Sequence, residues 1–185
     1  MIDARGVHAG ATWRPSPHHD ARPDPADISL VVIHGISLPP GEFGGPHIDQ
    51  LFMGTLDPAG HPYFKEIEGL RVSSHFVIRR DGALVQYVAC NERAWHAGAS
   101  SWKGRERCND FSIGIELEGA DDVPYAEPQY ETLAALVAEL GRRYGHLDLA
   151  GHSDIAPGRK TDPGPWFEWE RLRPSTPTLD SDPPP

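Results

Sequence analysis

The stretch SLVVIH, residues 29–34, limits the possible folds more than any other part of the chain. Leu30, Val31, Val32 and Ile33 are consecutive apolar residues, and three of them are β-branched. No polar face is left, so the run reads as a strand buried on both sides, the kind found where helices cover a sheet. His34 ends it. The next stretch, GISLPPGEFGGP, breaks into a loop.

The rest of the chain supplies partners for that strand. HFVIRR and LVQYV flank Asp81-Gly82, a pair suited to a tight turn, and predict a hairpin. FSIGIELEG alternates: Ile113, Ile115 and Leu117 fall on one side, Gly114, Glu116 and Glu118 on the other. From Glu127 or Pro128 onward, Tyr130, Leu133, Leu136, Val137, Leu140 and Tyr144 form one stripe at helical spacing, and Gly145 is a natural stop. HIDQLFMG and HPYFKEIEGL predict shorter helices, LDLAG a short strand, and PWFEWERLR a short terminal helix. AWHAGASSWKGRERCND reads as a loop. The order of elements predicts an α/β fold, a single domain with a central mixed β-sheet flanked by helices. Residues 1–27, polar and Pro-rich, are expected to lie over it as an irregular arm. Residues 173–185 have no apolar content to bury and are expected to be disordered.

The formal net charge of −10 argues against nucleic acid as a partner, which would need a basic surface. No segment has the length and apolarity of a signal peptide or a membrane span, so the expected compartment is the cytoplasm, with no membrane partner. Cys90 and Cys108 are expected to be free buried thiols.

The densest chemistry lies in GHSDIAPGRKTDPGPWF, residues 151–167. Proline and glycine make up six of its seventeen residues, so neither a regular helix nor a central strand is expected there. His152 follows the short strand, and Asp162 lies ten residues further on. With His34 they offer two imidazoles and a carboxylate, a set that suits zinc and leaves a fourth position open. A histidine at a strand end is more often structural, and the residues alone leave both readings standing. Glu116 is a candidate general acid or base; the alternative is a solvated strand face, which Glu118 beside it favours. Lys160 could stabilise an oxyanion or be an ordinary loop lysine. Arg71, Arg79, Arg80, Arg105 and Arg107 could grip carboxylates of an acidic ligand, or be surface charges. His75 and His96 are expected to be pocket residues at most, and His18-His19 to lie at the surface.

The runs SLPPGEFGGP, LRVSSHFVIRRDG, VQYV, RAWHAG, GRERCNDFSIGIELEG and GHSDIAPGRKTDPGP cover most of residues 13–169. In them the chain resembles the zinc amidase family that includes phage T7-type lysozyme and the peptidoglycan recognition proteins, and within it the cytoplasmic branch. The resemblance implies Zn2+ held by His34, His152 and Asp162, with Glu116 as catalytic acid/base and Lys160 stabilising the transition state. It also implies Arg71 and Arg107 as grips for peptide carboxylates. Residues 1–172 would form the catalytic domain, acting as a monomer on a small anhydro-muropeptide. The implied reaction is hydrolysis of the amide between the lactyl group of N-acetylmuramic acid and L-alanine, in peptidoglycan recycling and thereby control of β-lactamase induction. Two other functions belong to the same family. One is a non-catalytic module binding cell-wall peptides, which typically lacks a zinc ligand; here all three are present. The other is a broad amidase on intact peptidoglycan. The family's usual HNIS reads HGIS here, with Gly35 in place of an asparagine that contacts substrate.

Overall fold

In the computed structural model, which describes residues 1–172, the FSIGIELEG strand is buried on both faces along its whole length. In chain order the strands are β1 (Thr12–Trp13), β2 (His19–Ala21), β3 (Leu30–Ile36), β4 (Phe76–Ile78), β5 (Leu84–Gln86), β6 (Glu92–Ala94), β7 (Ser101–Trp102), β8 (Arg105–Glu106), β9 (Ser112–Glu118) and β10 (Asp148–Gly151). The helices are α1 (His47–Phe52), α2 (Pro62–Glu66), α3 (Glu127–Tyr144) and α4 (His152–Ile155). Six strands form one sheet in the order β1-β5-β4-β9-β3-β10. Only the β4–β5 hairpin pairs antiparallel; every other pair in it is parallel. The expected mixed sheet flanked by helices is borne out.

The alternation in β9 sorts the sheet into two faces. Ile113, Ile115 and Leu117, with Val31, Ile33, Phe76 and Ile78, pack against the apolar stripe of α3. Each such fully buried side chain stabilises the fold by roughly 1.5–3 kcal/mol. The opposite face is covered in two patches. One is built from α1, α2 and the hairpin around Val77, Val85 and Phe52; the other sets Ala97, Cys108, Phe111 and Ile155 against Leu30 and Val32. His34 and Glu116 share this second face with Ser112 and Gly114. The alternative of a solvated polar side of β9 does not hold: Glu116 and Glu118 are both buried. Glu118 is satisfied by Arg79 and by the backbone N–H groups of Gly44 and Arg80, so it ties the 41–46 loop to the sheet.

Helix α3 begins without a polar cap residue, and Gln129 compensates. Its Oε1 accepts from the N–H of Ala126, while its Nε2 donates to the carbonyls of Ile78 and Glu118. One buried amide thus anchors the helix start to the ends of β4 and β9.

The expected irregular arm is only partly irregular. β1 pairs with β5 and β2 pairs with β6. Arg22 is 4% exposed and donates to the carbonyls of Cys90, Asn109, Asp110 and Ser112. Burial pulls its pKa down to about 10, and the carbonyl cage holds it as a cation at neutral pH. His18, expected at the surface, is buried, stacked on Trp95 with its Nδ1 on the Val72 carbonyl. The 95–110 segment contains the β7–β8 hairpin. The terminal helix is a single 3-10 turn, Trp169–Leu172. Both cysteines are buried and free. The tail expected to be disordered, 173–185, lies outside the described residues.

Leu133, on the side of α3 that packs against the sheet, is fully buried. Leu133→Ala is expected to lower stability by about 2–5 kcal/mol, read as a reduced urea midpoint at unchanged slope; a shift under about 0.5 kcal/mol would contradict this packing.

Candidate metal centre

Parallel pairing brings the ends of β3, β9 and β10 to one edge of the sheet, where ligands of open α/β sheets bind. His34 lies opposite Glu116 in the β3–β9 register, and Gly151 opposite Ile33 in the β10–β3 register. His152 follows directly. Contrary to the sequence reading, it opens a one-turn helix, α4. Asp154 makes that turn by accepting from the Gly151 N–H at 2.7 Å. The chain then loops back so that the Asp162 carbonyl accepts from the Ser153 N–H at 2.9 Å. This closure carries the Asp162 carboxylate to the two imidazoles.

Three atoms converge there. His34 Nδ1 is 3.0 Å from His152 Nδ1 and 3.3 Å from Asp162 Oδ2, and His152 Nδ1 is 3.1 Å from Asp162 Oδ2. Metal–ligand bonds of about 2.0–2.1 Å in a tetrahedron separate the ligand atoms by about 3.3 Å. His152 Nε2 faces the Ala97 carbonyl at 3.2 Å. A carbonyl only accepts, so this nitrogen carries the proton and Nδ1 presents a lone pair. At most one proton, on His34 Nδ1, is left among three acceptors. A divalent cation replaces that proton and satisfies all three together. The residues present therefore fit a zinc ion.

Behind His34 stands His96, its Nδ1 at 2.9 Å from His34 Nε2 and its Nε2 at 3.3 Å from Ser112 Oγ. With His34 Nδ1 bare, the chain runs His34 Nε2–H to His96 and His96 Nε2–H to Ser112, which fixes the ring in the orientation a metal ligand would need. His96 lies flat on β9 because residue 114 is glycine: a Cβ there would meet its Cγ at 2.5 Å. Asn109 fixes the backbone beneath by accepting from the N–H groups of His96 and Ala97. Arg159 donates to the carbonyls of Ala97 and Ala99. His96 stood in the sequence as a pocket residue. Asn109 and Gly114 carried no signal of their own, because their work depends on a neighbour distant in the chain.

Burial pushes the His34 pKa down to about 4, against the pull of its hydrogen bond with the Asp162 carboxylate. His75 and His96 are also held well below the usual value, chiefly by burial. Burial works against the Asp162 charge, but hydrogen bonds with His152 and His34 outweigh it and hold the carboxyl well below the usual carboxylate range. Glu116 goes the other way: burial, then the nearby Asp162 charge, raise its pKa well above normal, with Lys160 pulling against them. Its Oε1 is 4.0 Å from His34 Nδ1.

His34, His96, Glu116, His152 and Asp162 open on one cavity of about 740 Å³. Its lining includes the apolar Leu38, Leu51, Phe52 and Ile67 and, with Asp162, the amine of Lys160. The predicted arginines are not brought to the cluster. Arg71 is exposed between Leu70 and Val72, which line the cavity, but itself lines a smaller one. Arg107 is exposed, pairs with Asp110, and lines an adjacent groove that shares Arg159 with the main cavity.

Imidazole, carboxylate and amine groups converging on one deep cavity make an enzyme's site rather than a passive surface. Residues 24–165 match the family described as N-acetylmuramoyl-L-alanine amidase, and the chain belongs to that family of amidases. It is 58% identical to the 1,6-anhydro-N-acetylmuramyl-L-alanine amidase AmpD of Escherichia coli K12 over 175 residues, 94% of this chain and 96% of the relative. It is 62% identical to the protein of the same name from Citrobacter freundii, over 94% of each. A crystal structure of a selenomethionine AmpD derivative aligns with a TM-score of 0.91 at 59% identity, covering 93% of this chain and 97% of that one. The E. coli amidase AmiD, in complex with anhydro-N-acetylmuramic acid-L-Ala-D-gamma-Glu-L-Lys, aligns at 0.58 and 30% identity over 92% of this chain and 61% of that one.

Two outcomes test the electrostatics. His34 and His75 are neutral in the folded state at pH values where the unfolded imidazole, at 6.5, is already charging. At these imidazoles and at His96 the unfolded chain takes up protons first, so their contribution to the stability of the metal-free protein is complete above about 6.5 and drains as pH falls toward about 4; Glu116, with its raised pKa, takes up a proton first in the folded chain and offsets one share of that loss. The urea midpoint should fall across that window, and a constant midpoint would contradict neutral buried imidazoles. Gly114→Ala displaces His96 and should weaken zinc affinity by about 10–100-fold in a chelator competition; unchanged affinity would remove His96 from the site.

Proposed function

We propose that the protein hydrolyses the amide joining the lactyl group of 1,6-anhydro-N-acetylmuramic acid to the L-alanine of a stem peptide, using Zn2+ held by His34, His152 and Asp162. The observation that carries this is the convergence of three ligand atoms beside Glu116 at the cavity floor, in a chain of the amidase family. The relatives named as anhydromuramyl amidases, and the anhydromuramyl peptide bound to AmiD, support the choice of substrate.

Bound zinc supplies Lewis-acid polarisation and lowers the pKa of water toward neutrality. Glu116 takes the proton of the attacking water and returns it to the amine of L-alanine as the C–N bond breaks. Its raised pKa suits the return step, and the charge of a dication beside it would favour the ionised form for the first. Lys160 is exposed on the cavity wall and forms no ion pair among the described residues, so its charge is free to face the oxyanion of the tetrahedral intermediate. Arg71, exposed between two cavity-lining residues, and Arg107, exposed on the adjacent groove, would hold stem-peptide carboxylates. In this reading residues 1–172 act as one catalytic domain, a cytoplasmic monomer in peptidoglycan recycling. It would influence β-lactamase induction through the level of anhydro-muropeptides.

Incubation with an anhydro-muropeptide, followed by mass spectrometry, should yield the anhydro-muramoyl sugar and the free stem peptide. A chelator should stop the reaction and zinc restore it. Turnover should be faster on this substrate than on intact sacculi. Glu116→Gln should keep its zinc and lose about 10²–10⁴ in kcat. Tight binding without any cleavage would instead make the protein a recognition module.

A further inference from the structure

The segment that supplies Asp162 and Lys160 is pinned from a side that plays no part in the chemistry. Tyr125 precedes α3, is 6% exposed, and packs edge-on against Tyr130 and Phe167 beneath the sheet end. Its hydroxyl reaches out of this apolar setting and donates to the Pro163 carbonyl at 2.8 Å. Pro163 adjoins Asp162. With the Ser153 N–H on the Asp162 carbonyl, the two consecutive carbonyls at the ligand are each held by a donor from a different element.

The ring reaches that position through a slot with two glycine walls. Gly35 follows His34 at the end of β3, and Gly119 follows Glu118 at the end of β9. A Cβ on Gly119 would come within 3.0 Å of Tyr125 Cδ1, well inside contact distance for carbon atoms. A Cβ on Gly35 would overlap the Tyr125 hydroxyl itself, whereas its next neighbours, Pro163 Cα and Tyr125 Cζ, lie at 3.7 Å, an ordinary contact. At residue 35 the hydroxyl alone excludes a side chain.

We propose that Tyr125 is a positioning residue that fixes Asp162 for metal binding through the Pro163 carbonyl, and that residue 35 is glycine to admit the Tyr125 hydroxyl. This rests on the zinc reading of the His34–His152–Asp162 cluster. An orienting group behind a metal ligand is typically worth about 10–100-fold in affinity, and here the group orients the backbone that carries the ligand. Tyr125→Phe keeps the ring in its slot and removes only the hydrogen bond.

The test is a double-mutant cycle on zinc affinity, measured by competition with a chelator in wild type, Gly35→Ala, Tyr125→Phe and the double variant. Unfolding midpoints of the metal-free proteins are recorded alongside. Tyr125→Phe should bind zinc about tenfold more weakly with little change in metal-free midpoint. Gly35→Ala should show a similar loss in the wild-type background and none in the Tyr125→Phe background, where the obstructing atom is gone. Equal zinc affinity in wild type and Tyr125→Phe overturns the positioning role, as does a loss of metal-free stability that accounts for all of the lost affinity. Additive losses overturn the steric link to Gly35. Wild-type protein that retains no zinc overturns the metal reading itself, and this inference with it.

Discussion

Everything at the site depends on the parallel pairing of β3 with β9 on one side and β10 on the other. Parallel strands finish at the same end of a sheet, so groups far apart in the chain meet without long connections. His34 and Glu116 lie side by side near the ends of β3 and β9, and His152 is the first residue beyond β10. Asp162 alone needs a loop, and that loop is braced by Asp154, Ser153 and Tyr125.

The parts of the structure that could be read from the sequence are those whose cause is local. The buried run at Leu30–Ile33, the alternation of β9, the stripe of α3 and the Asp81-Gly82 turn all carry their own period or turn chemistry, and all formed as expected. The rest was hidden because its cause is a distant partner. Arg22 and His18 lie in a polar, Pro-rich stretch that reads as a loose arm; carbonyls 50 to 90 residues away draw them inside. The turn of α4 is a poor helix by composition, yet one Asp154 oxygen closes it. His34, His152 and Asp162 were legible as residue types, but the readings of ligand and structural histidine parted only when their ring nitrogens could be measured against one another.

The groups that touch the two imidazoles from behind are uncharged. His152 leans on a carbonyl, and His34 leans on His96 and through it on a serine hydroxyl. No carboxylate backs either imidazole among the described residues. Asp162 and Glu116 are the carboxylates nearest the place a dication would take, with Asp121 and Asp122 further out on the lining of the same cavity. Glu116 can give up or hold a proton without a buried counter-charge fixing it in one state, while Lys160 supplies the remaining positive charge from the solvent side.

One consequence concerns the order in which the molecule can assemble. The ligand nitrogens of His34 and His152 are contributed by residues 118 apart in the chain, and they meet only if β10 docks on β3 with Gly151 beside Ile33. A slip of one residue would turn the inward face of β10 outward and pull the ring of His152 off the cluster. The cluster therefore checks strand register across much of the described chain: a protein in which these three ligand atoms meet has also closed β10 correctly.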